Sequence, residues 1–165
     1  MNQRTTIIVE GVDCSGKSTL TKELKNHLKW DLLALPHSEG DQFERYLKLY
    51  GNAQKTILER SHLSEKIYSQ VFGRSNPFTL RQAGILHDVV AEKALLVVAT
   101  APSKVLRARY VARSYAQELE LEKLDQTNAQ FLREVGEYPE CLVYNSATPA
   151  ALESIMAEIK RRLCC

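Results

Sequence analysis

Long hydrophobic runs are absent from this chain. Its most continuous apolar stretch, Ala94 to Ala101, is far shorter than the roughly twenty residues that a bilayer span needs. No secretory-type apolar segment stands near Met1, and the expectation is a cytosolic protein without a membrane partner. Cysteine is scarce, and Cys14, Cys141, Cys164 and Cys165 match neither zinc-ligand spacing nor a small disulfide framework, so reduced thiols are expected. The adjacent Cys164 and Cys165 resemble a prenylation signal, but no flexible tail precedes them and they read as the end of a helix. Low-complexity tracts, internal repeats and linker-like segments are also missing, which excludes disorder and repeat arrays. Nor does one sign of charge dominate: 22 Lys and Arg against 20 Asp and Glu leave a net +2, too little for a domain that coats nucleic acid. What remains is a globular domain over residues 1–165, long enough for one core.

Apolar patterning along the chain alternates between two periods. Thr6 to Val9 is β-branched and ends before a glycine, as a buried parallel strand does. Lys17 to Leu28 follows with Leu20, Leu24 and Leu28 four apart, one stripe of a helix. A second strand is expected at Leu32 to Leu35, a helix at Asp41 to Tyr50 broken by Gly51-Asn52, and a third strand at Thr56 to Leu58. Helices are expected at His62 to Phe72 and from a Thr79 cap to Lys93, then a strand at Leu95 to Ala99 and a helix opened by Pro102. An amphipathic segment around Leu124, Phe131 and Leu132, a strand at Cys141 to Tyr144, and a helix from Thr148-Pro149 to Ile159 complete the chain. Strands alternating with helices predict an α/β fold, a five-stranded parallel sheet with helices on both faces.

Between the first strand and first helix stands Gly11-Val12-Asp13-Cys14-Ser15-Gly16-Lys17-Ser18, followed by Thr19, which satisfies the G-x-x-x-x-G-K-[ST] pattern at every specified position. Gly11 and Gly16 permit backbone turns closed to other residues, so successive N–H groups converge on phosphate oxygens. The positive end of the helix dipole faces the same place, Lys17 bridges the β- and γ-phosphates, and the Ser18 hydroxyl is a ligand for Mg²⁺. Asp13 would repel the donor phosphates unless it faced the acceptor side, where a hydroxyl or base could use it. Nucleoside triphosphate binding is the direct expectation.

Val9-Glu10-Gly11-Val12-Asp13 and the loop after it resemble the opening of the thymidylate kinase family. Leu58-Glu59-Arg60-Ser61, with Ser64 and Tyr68, resembles the Glu-Arg-Ser motif of deoxyribonucleoside kinases and the Asp-Arg motif of thymidylate kinases. Arg107 to Arg113, with the charged run Glu118 to Leu124, resembles the arginine-bearing lid of the same kinases, over residues 103–125. The resemblance implies a P-loop, nucleoside-monophosphate-kinase-like fold with strand order 2-3-1-4-5, ATP as donor and Mg²⁺ as cofactor. It implies that Glu59 helps to hold the metal, that Arg60 binds the transferring or acceptor phosphate, and that Asn145 to Thr148, Ala147 included, line the adenine site. It also implies a homodimer. Arg109 and Arg113, four apart on a helix, share a face and would stabilise charge on the moving group, while Arg107 points elsewhere.

Only one helix separates Pro36 from Thr56, fewer residues than thymidylate kinases use to grip the acceptor base. Two acceptor classes therefore stay open. The first is a deoxynucleoside monophosphate, thymidylate or a 5-modified relative, which needs positive charge to approach the donor. The second is a hydroxyl, on a nucleoside or on a 5-hydroxymethyl base within DNA, which needs a general base, and Glu39 in the loop after strand two is the candidate. A nucleotide-binding switch without an acceptor is a third reading, opposed by Arg60, the lid arginines and the lack of a guanine-reading Asn-Lys-x-Asp segment. His37, His62 and His87 have no ligand-like spacing and read as packing or surface residues.

Overall fold

The computed structural model describes residues 4–113, 119–138 and 140–163. Glu118 of the expected lid and the Cys164-Cys165 pair lie outside the described residues. Five parallel strands form one sheet in the order β2-β3-β1-β4-β5, as expected: β1 is Thr6–Glu10, β2 Asp31–Ala34, β3 Thr56–Glu59, β4 Ala94–Thr100 and β5 Leu142–Asn145. The helices are α1 at Lys17–Leu28, α2 at Gln42–Asn52, α3 at His62–Val71, α4 at Leu80–Lys93, α5 at Ser103–Ala112, α6 at Leu124–Val135 and α7 at Pro149–Leu163. No helix among the described residues is long and apolar enough to cross a membrane.

The two-residue period of the strands sorts their side chains into two cores. Ile7 and Val9 of β1, Ile57 of β3, Leu95 and Val97 of β4 and Leu142 and Tyr144 of β5 face α1 and α7, meeting Leu20, Leu24, Ile155 and Ile159. Ile8, Leu58, Leu96 and Val98 face the other way, onto Tyr46, Ile67, Leu86, Leu106 and Phe131 of the remaining helices. β1 and β4 are buried along their whole length because both faces are covered, whereas β5, at an edge, alternates buried and exposed.

Register places the carboxyl ends of β1, β3 and β4 side by side, with Val9 opposite both Glu59 and Val97. In such a sheet ligands gather where the strand order reverses, here between β1 and its neighbours.

The boundaries of α2, β2, β5 and α5 differ from those expected from the sequence. α2 continues through Gly51 and Asn52, closing only where the Ala53 N–H bonds Leu49 O at 2.9 Å. A helical glycine costs about 1 kcal/mol, and the burial of Tyr46 and Tyr50 offsets it. Strands β2 and β5 are shifted by one residue, to Asp31 and Leu142 respectively. α5 stops at Ala112, so Arg113 is not on the helix: its backbone is extended, and its N–H bonds Tyr110 O in a tightened last turn. The shared helical face expected for Arg109 and Arg113 is thereby corrected. Thr79, by contrast, caps α4 as read, in a reciprocal capping box with Gln82.

Candidate active site

The loop between β1 and α1 has the backbone its glycines foreshadow. Gly11 has φ +136 and Gly16 φ +93, and Cys14 between them also has positive φ. A β-carbon on Gly11 would lie 2.2 Å from Ala99 O, and one on Gly16 would lie 2.8 Å from the Ser146 β-carbon, so neither position has room for a side chain. Val12, Cys14 and Ser15 are buried, while Ser18 and Thr19 are exposed at the start of α1. Burial pushes the Cys14 thiol up from its ordinary range, so this packed side chain is less readily ionised than a free thiol.

Lys17 is nearly inaccessible, yet it is a cation. Its Nζ donates to Val12 O at 2.8 Å and stands 4.0 Å from Asp13 Oδ1. Desolvation, followed by the nearby Arg60, lowers its pKa to about 8. A buried ammonium held beside a second cation is an arrangement that an anionic ligand relieves.

The end of β3 serves the loop twice. Glu59 accepts from Ser18 Oγ at 2.7 Å and from Thr21 Oγ1 at 2.8 Å, so two hydroxyls of α1 one turn apart converge on one carboxylate. Arg60, the next residue, turns the opposite way, and its Nη2 donates to Asp13 Oδ1 at 2.7 Å. That reversal requires Arg60 to adopt φ +79, a left-handed conformation uncommon outside glycine and concentrated at functional sites. The guanidinium lies 5.0 Å over the Tyr68 ring.

Across the loop, Arg109 of α5 donates to Cys14 O at 3.1 Å and to Ser146 Oγ and O, both at 2.7 Å. Ser146 Oγ in turn donates to Ser15 O at 2.7 Å. A cavity of about 680 Å³ opens between these elements, lined by the loop from Cys14 to Thr19, by Arg109 and Arg113, and by Ser146, Ala147 and Thr148. Asn145 does not line it; its Oδ1 accepts from Ala147 N at 3.2 Å and shapes the turn. Arg107 points away, paired with Asp125 at 2.8 Å.

Glu39 is exposed on the loop after β2, with no hydrogen bond or ion pair to the other described residues. The carboxylate built into that region is Glu65, within 2.8 Å of His37 Nδ1 and 3.6 Å of Arg45. His62 is a core residue, with Nδ1 2.8 Å from Tyr50 Oη.

Several contributors escaped the sequence reading. Thr21 was detectable as a hydroxyl three residues after Ser18, on the same helical face. Glu10, an acid closing an apolar strand, signalled a buried carboxylate in need of donors. The clamp between Arg109 and Ser146 left no local signal.

No protein-family model matches the chain. The chain is 30% identical over 115 residues to the SPβ prophage-derived protein YorR of Bacillus subtilis, across 66% of this chain and 69% of YorR. It is 27% identical over 146 residues to the thymidylate kinase of Caldanaerobacter subterraneus, across 87% of this chain and 64% of that enzyme, and so spans less than two thirds of the latter. The crystal structure of YorR in complex with phosphorylated GDP superposes with a TM-score of 0.80 at 22% identity, over 94% of this chain and 96% of that one. The deoxyadenosine kinase of M. mycoides with bound dCTP superposes with a TM-score of 0.64 at 18% identity, over 94% of this chain and 99% of that one.

Proposed function

This chain belongs to the family of YorR and has the fold of the P-loop kinases, and we propose that it is a phosphotransferase that moves the γ-phosphate of ATP to a deoxynucleoside monophosphate, thymidylate or a 5-modified relative. The observation that carries this reading is the division of labour at the end of β3. Glu59 turns to the hydroxyls of Ser18 and Thr21, and Arg60 turns to Asp13 across the loop. One strand end thus supplies a metal-side carboxylate and a phosphate-side cation to the same cradle.

Nucleotides bound in two similar structures, phosphorylated GDP in YorR and dCTP in the M. mycoides deoxyadenosine kinase, support the nucleotide-binding part of this reading. The loop amides and Lys17 bind the donor, whose negative charge replaces the solvation that the buried ammonium has lost. Ser18 and Glu59 present oxygen donors 2.7 Å apart, a set suited to Mg²⁺, which takes one or two protein oxygens and completes its shell with phosphate and water. Its chemistry there is to offset charge on the donor phosphates. Arg60 brings the acceptor phosphate up to the donor, and Arg109 with Arg113 borders the cavity where charge builds during transfer.

A monophosphate acceptor is supported by what the site offers. A hydroxyl acceptor requires a positioned general base. Asp13 is engaged by Arg60, Glu65 by His37 and Arg45, and Glu39 is exposed and unanchored among the described residues. An acceptor phosphate is already anionic and requires the cation that Arg60 supplies.

The test is transfer of label from γ-³²P-ATP, with Mg²⁺, to deoxynucleoside monophosphates, nucleosides and hydroxymethyl-containing DNA in parallel. Label in a deoxynucleoside diphosphate is expected. Label in nucleosides or in the polymer alone would overturn the acceptor assignment, and ATP turnover at background with every acceptor would favour a switch protein.

A further inference from the structure

Glu10 is completely buried at the carboxyl end of β1, directly before Gly11 of the phosphate loop. A buried carboxylate is expensive unless every lone pair finds a donor. Here the donors come from one place, the first turn of α3. Ser61 Oγ and Ser64 Oγ both donate to it, the latter at 2.6 Å, and Ser64 N donates at 3.2 Å. The acid also faces the positive end of the α3 dipole. Ser61 is the helix cap, its Oγ accepting from Leu63 N at 3.2 Å while it donates to Glu10. Glu10, Ser61 and Ser64 are therefore each held by more than one bond.

Between Glu59 and Ser61 stands Arg60, with the left-handed backbone that aims its guanidinium at Asp13. A non-glycine residue holds such a conformation, which costs about 1–3 kcal/mol, only where its surroundings over-determine it. The Arg60 N–H bonds Val9 O at 3.0 Å on one side, and on the other side the adjacent Ser61 is tied to Glu10. Val9 and Glu10 are also the two residues that lead into Gly11. The same dipeptide therefore sets the height of the phosphate loop and that of the arginine turn.

We infer that Glu10 is a positioning residue for phosphoryl transfer, which locks the Arg60 turn in register with the phosphate loop through Ser61 and Ser64. This inference rests on the phosphotransferase reading for its kinetic consequence, but not for its structural one. Glu10 does not touch the cavity; it acts through Arg60. The position of α3 relative to β1 is the quantity it controls.

Glu10→Gln is the discriminating variant, because it keeps the shape but turns one acceptor into an amide donor that faces a hydroxyl or N–H donor. The expected result is a fall in kcat of roughly 10- to 100-fold, the scale of a misplaced reacting group, with the ATP dissociation constant within about threefold of wild type. Ser64→Ala, a milder change, should lower kcat less, and Glu10→Asp should restore part of the loss. In an Arg60→Ala background Glu10→Gln should have little further effect, since the two act in series. Folded Glu10→Gln protein with unchanged kcat, or a loss that multiplies fully with that of Arg60→Ala, would overturn the inference.

A readout independent of catalysis separates this idea from the function it rests on. Amide exchange at Arg60 and Ser64 should accelerate in Glu10→Gln and in Ser64→Ala, while the β4 amides stay protected. Accelerated exchange in a protein that phosphorylates nothing would uphold the lock and sink the kinase reading. Unchanged exchange at both residues would sink the lock whatever the activity.

Discussion

Arg109 grips Ser146 through two oxygens at once, the hydroxyl and the carbonyl, each at 2.7 Å. With its further bond to Cys14 O it ties α5 to both walls of the cavity. Replacing Arg109 by Ala removes its bonds to the Cys14 and Ser146 carbonyls, at about 1–3 kcal/mol each where no other donor replaces it. The expected outcome is a rise of at least about tenfold in the ATP dissociation constant, measured by titration calorimetry. Arg109→Lys cannot form the fork and should restore less than half of that binding energy. Wild-type affinity in Arg109→Ala would show that the clamp is idle.

Gly11→Ala is expected to abolish nucleotide binding. The new β-carbon would meet Ala99 O at 2.2 Å, and backbone of β4 cannot give way, while φ +136 is strained for any L side chain. Gly16→Ala should be less severe, because its nearest neighbour, at 2.8 Å, is the Ser146 side chain. The measurement is binding of a fluorescent ATP analogue, alongside thermal unfolding. Equal effects at both positions would contradict the ranking.

The features legible in the sequence were those encoded over a few neighbouring residues. Ile7, Ile8 and Val9 announced a doubly buried strand, and the spacing from Gly11 to Ser18 announced the cradle, because both patterns are local. Thr79 announced a helix cap for the same reason. What escaped depends on chain closure. Glu10 finds its donors more than fifty residues away, at Ser61 and Ser64, and Ser146 reaches Ser15 across 131 residues. Arg113 was misplaced by helical arithmetic, since a four-residue spacing means a shared face only if the helix runs through both positions, and α5 ends at Ala112.

Glu59 holds two α1 hydroxyls, and its removal should be read in metal dependence. In Glu59→Gln the Mg²⁺ concentration for half-maximal activity should rise by about 10- to 100-fold, the usual scale for a lost metal-site oxygen partner. Thr21→Val removes only the second hydroxyl, 2.8 Å from Glu59 Oε2, and should shift it by a few-fold at most. A Glu59→Gln enzyme with unaltered Mg²⁺ dependence would move the metal assignment elsewhere.

Lys17 titrates near 8 in the free protein because burial, and then Arg60, disfavour its charged form. Phosphate binding favours that form. Above about pH 8, binding must therefore take up a proton, and affinity should fall by up to about tenfold per pH unit. Calorimetry of ATP binding in two buffers of different ionisation enthalpy should show uptake approaching one proton near pH 9, and almost none near pH 6.5. Lys17→Met should abolish the uptake. Proton release on the alkaline side would contradict the assignment.

His62 makes a prediction about folding. It is buried, its Nδ1 is bonded to Tyr50 Oη, and burial first, with Lys66 and His87 adding to it, lowers its pKa from 6.5 to about 3. Between those values the unfolded chain binds a proton that the folded chain does not. Stability linked to this group is thus fully present above pH 6.5 and is lost as the pH falls toward 3, with a slope approaching about 1.4 kcal/mol per pH unit. Carboxylates contribute their own acid dependence, so the informative quantity is the difference from His62→Gln, a variant that cannot take up the proton. Urea unfolding at a series of pH values should show the wild type losing stability faster than the variant over this window. Parallel curves would mean that His62 is charged in the fold or open to water, in contradiction of its place in the core.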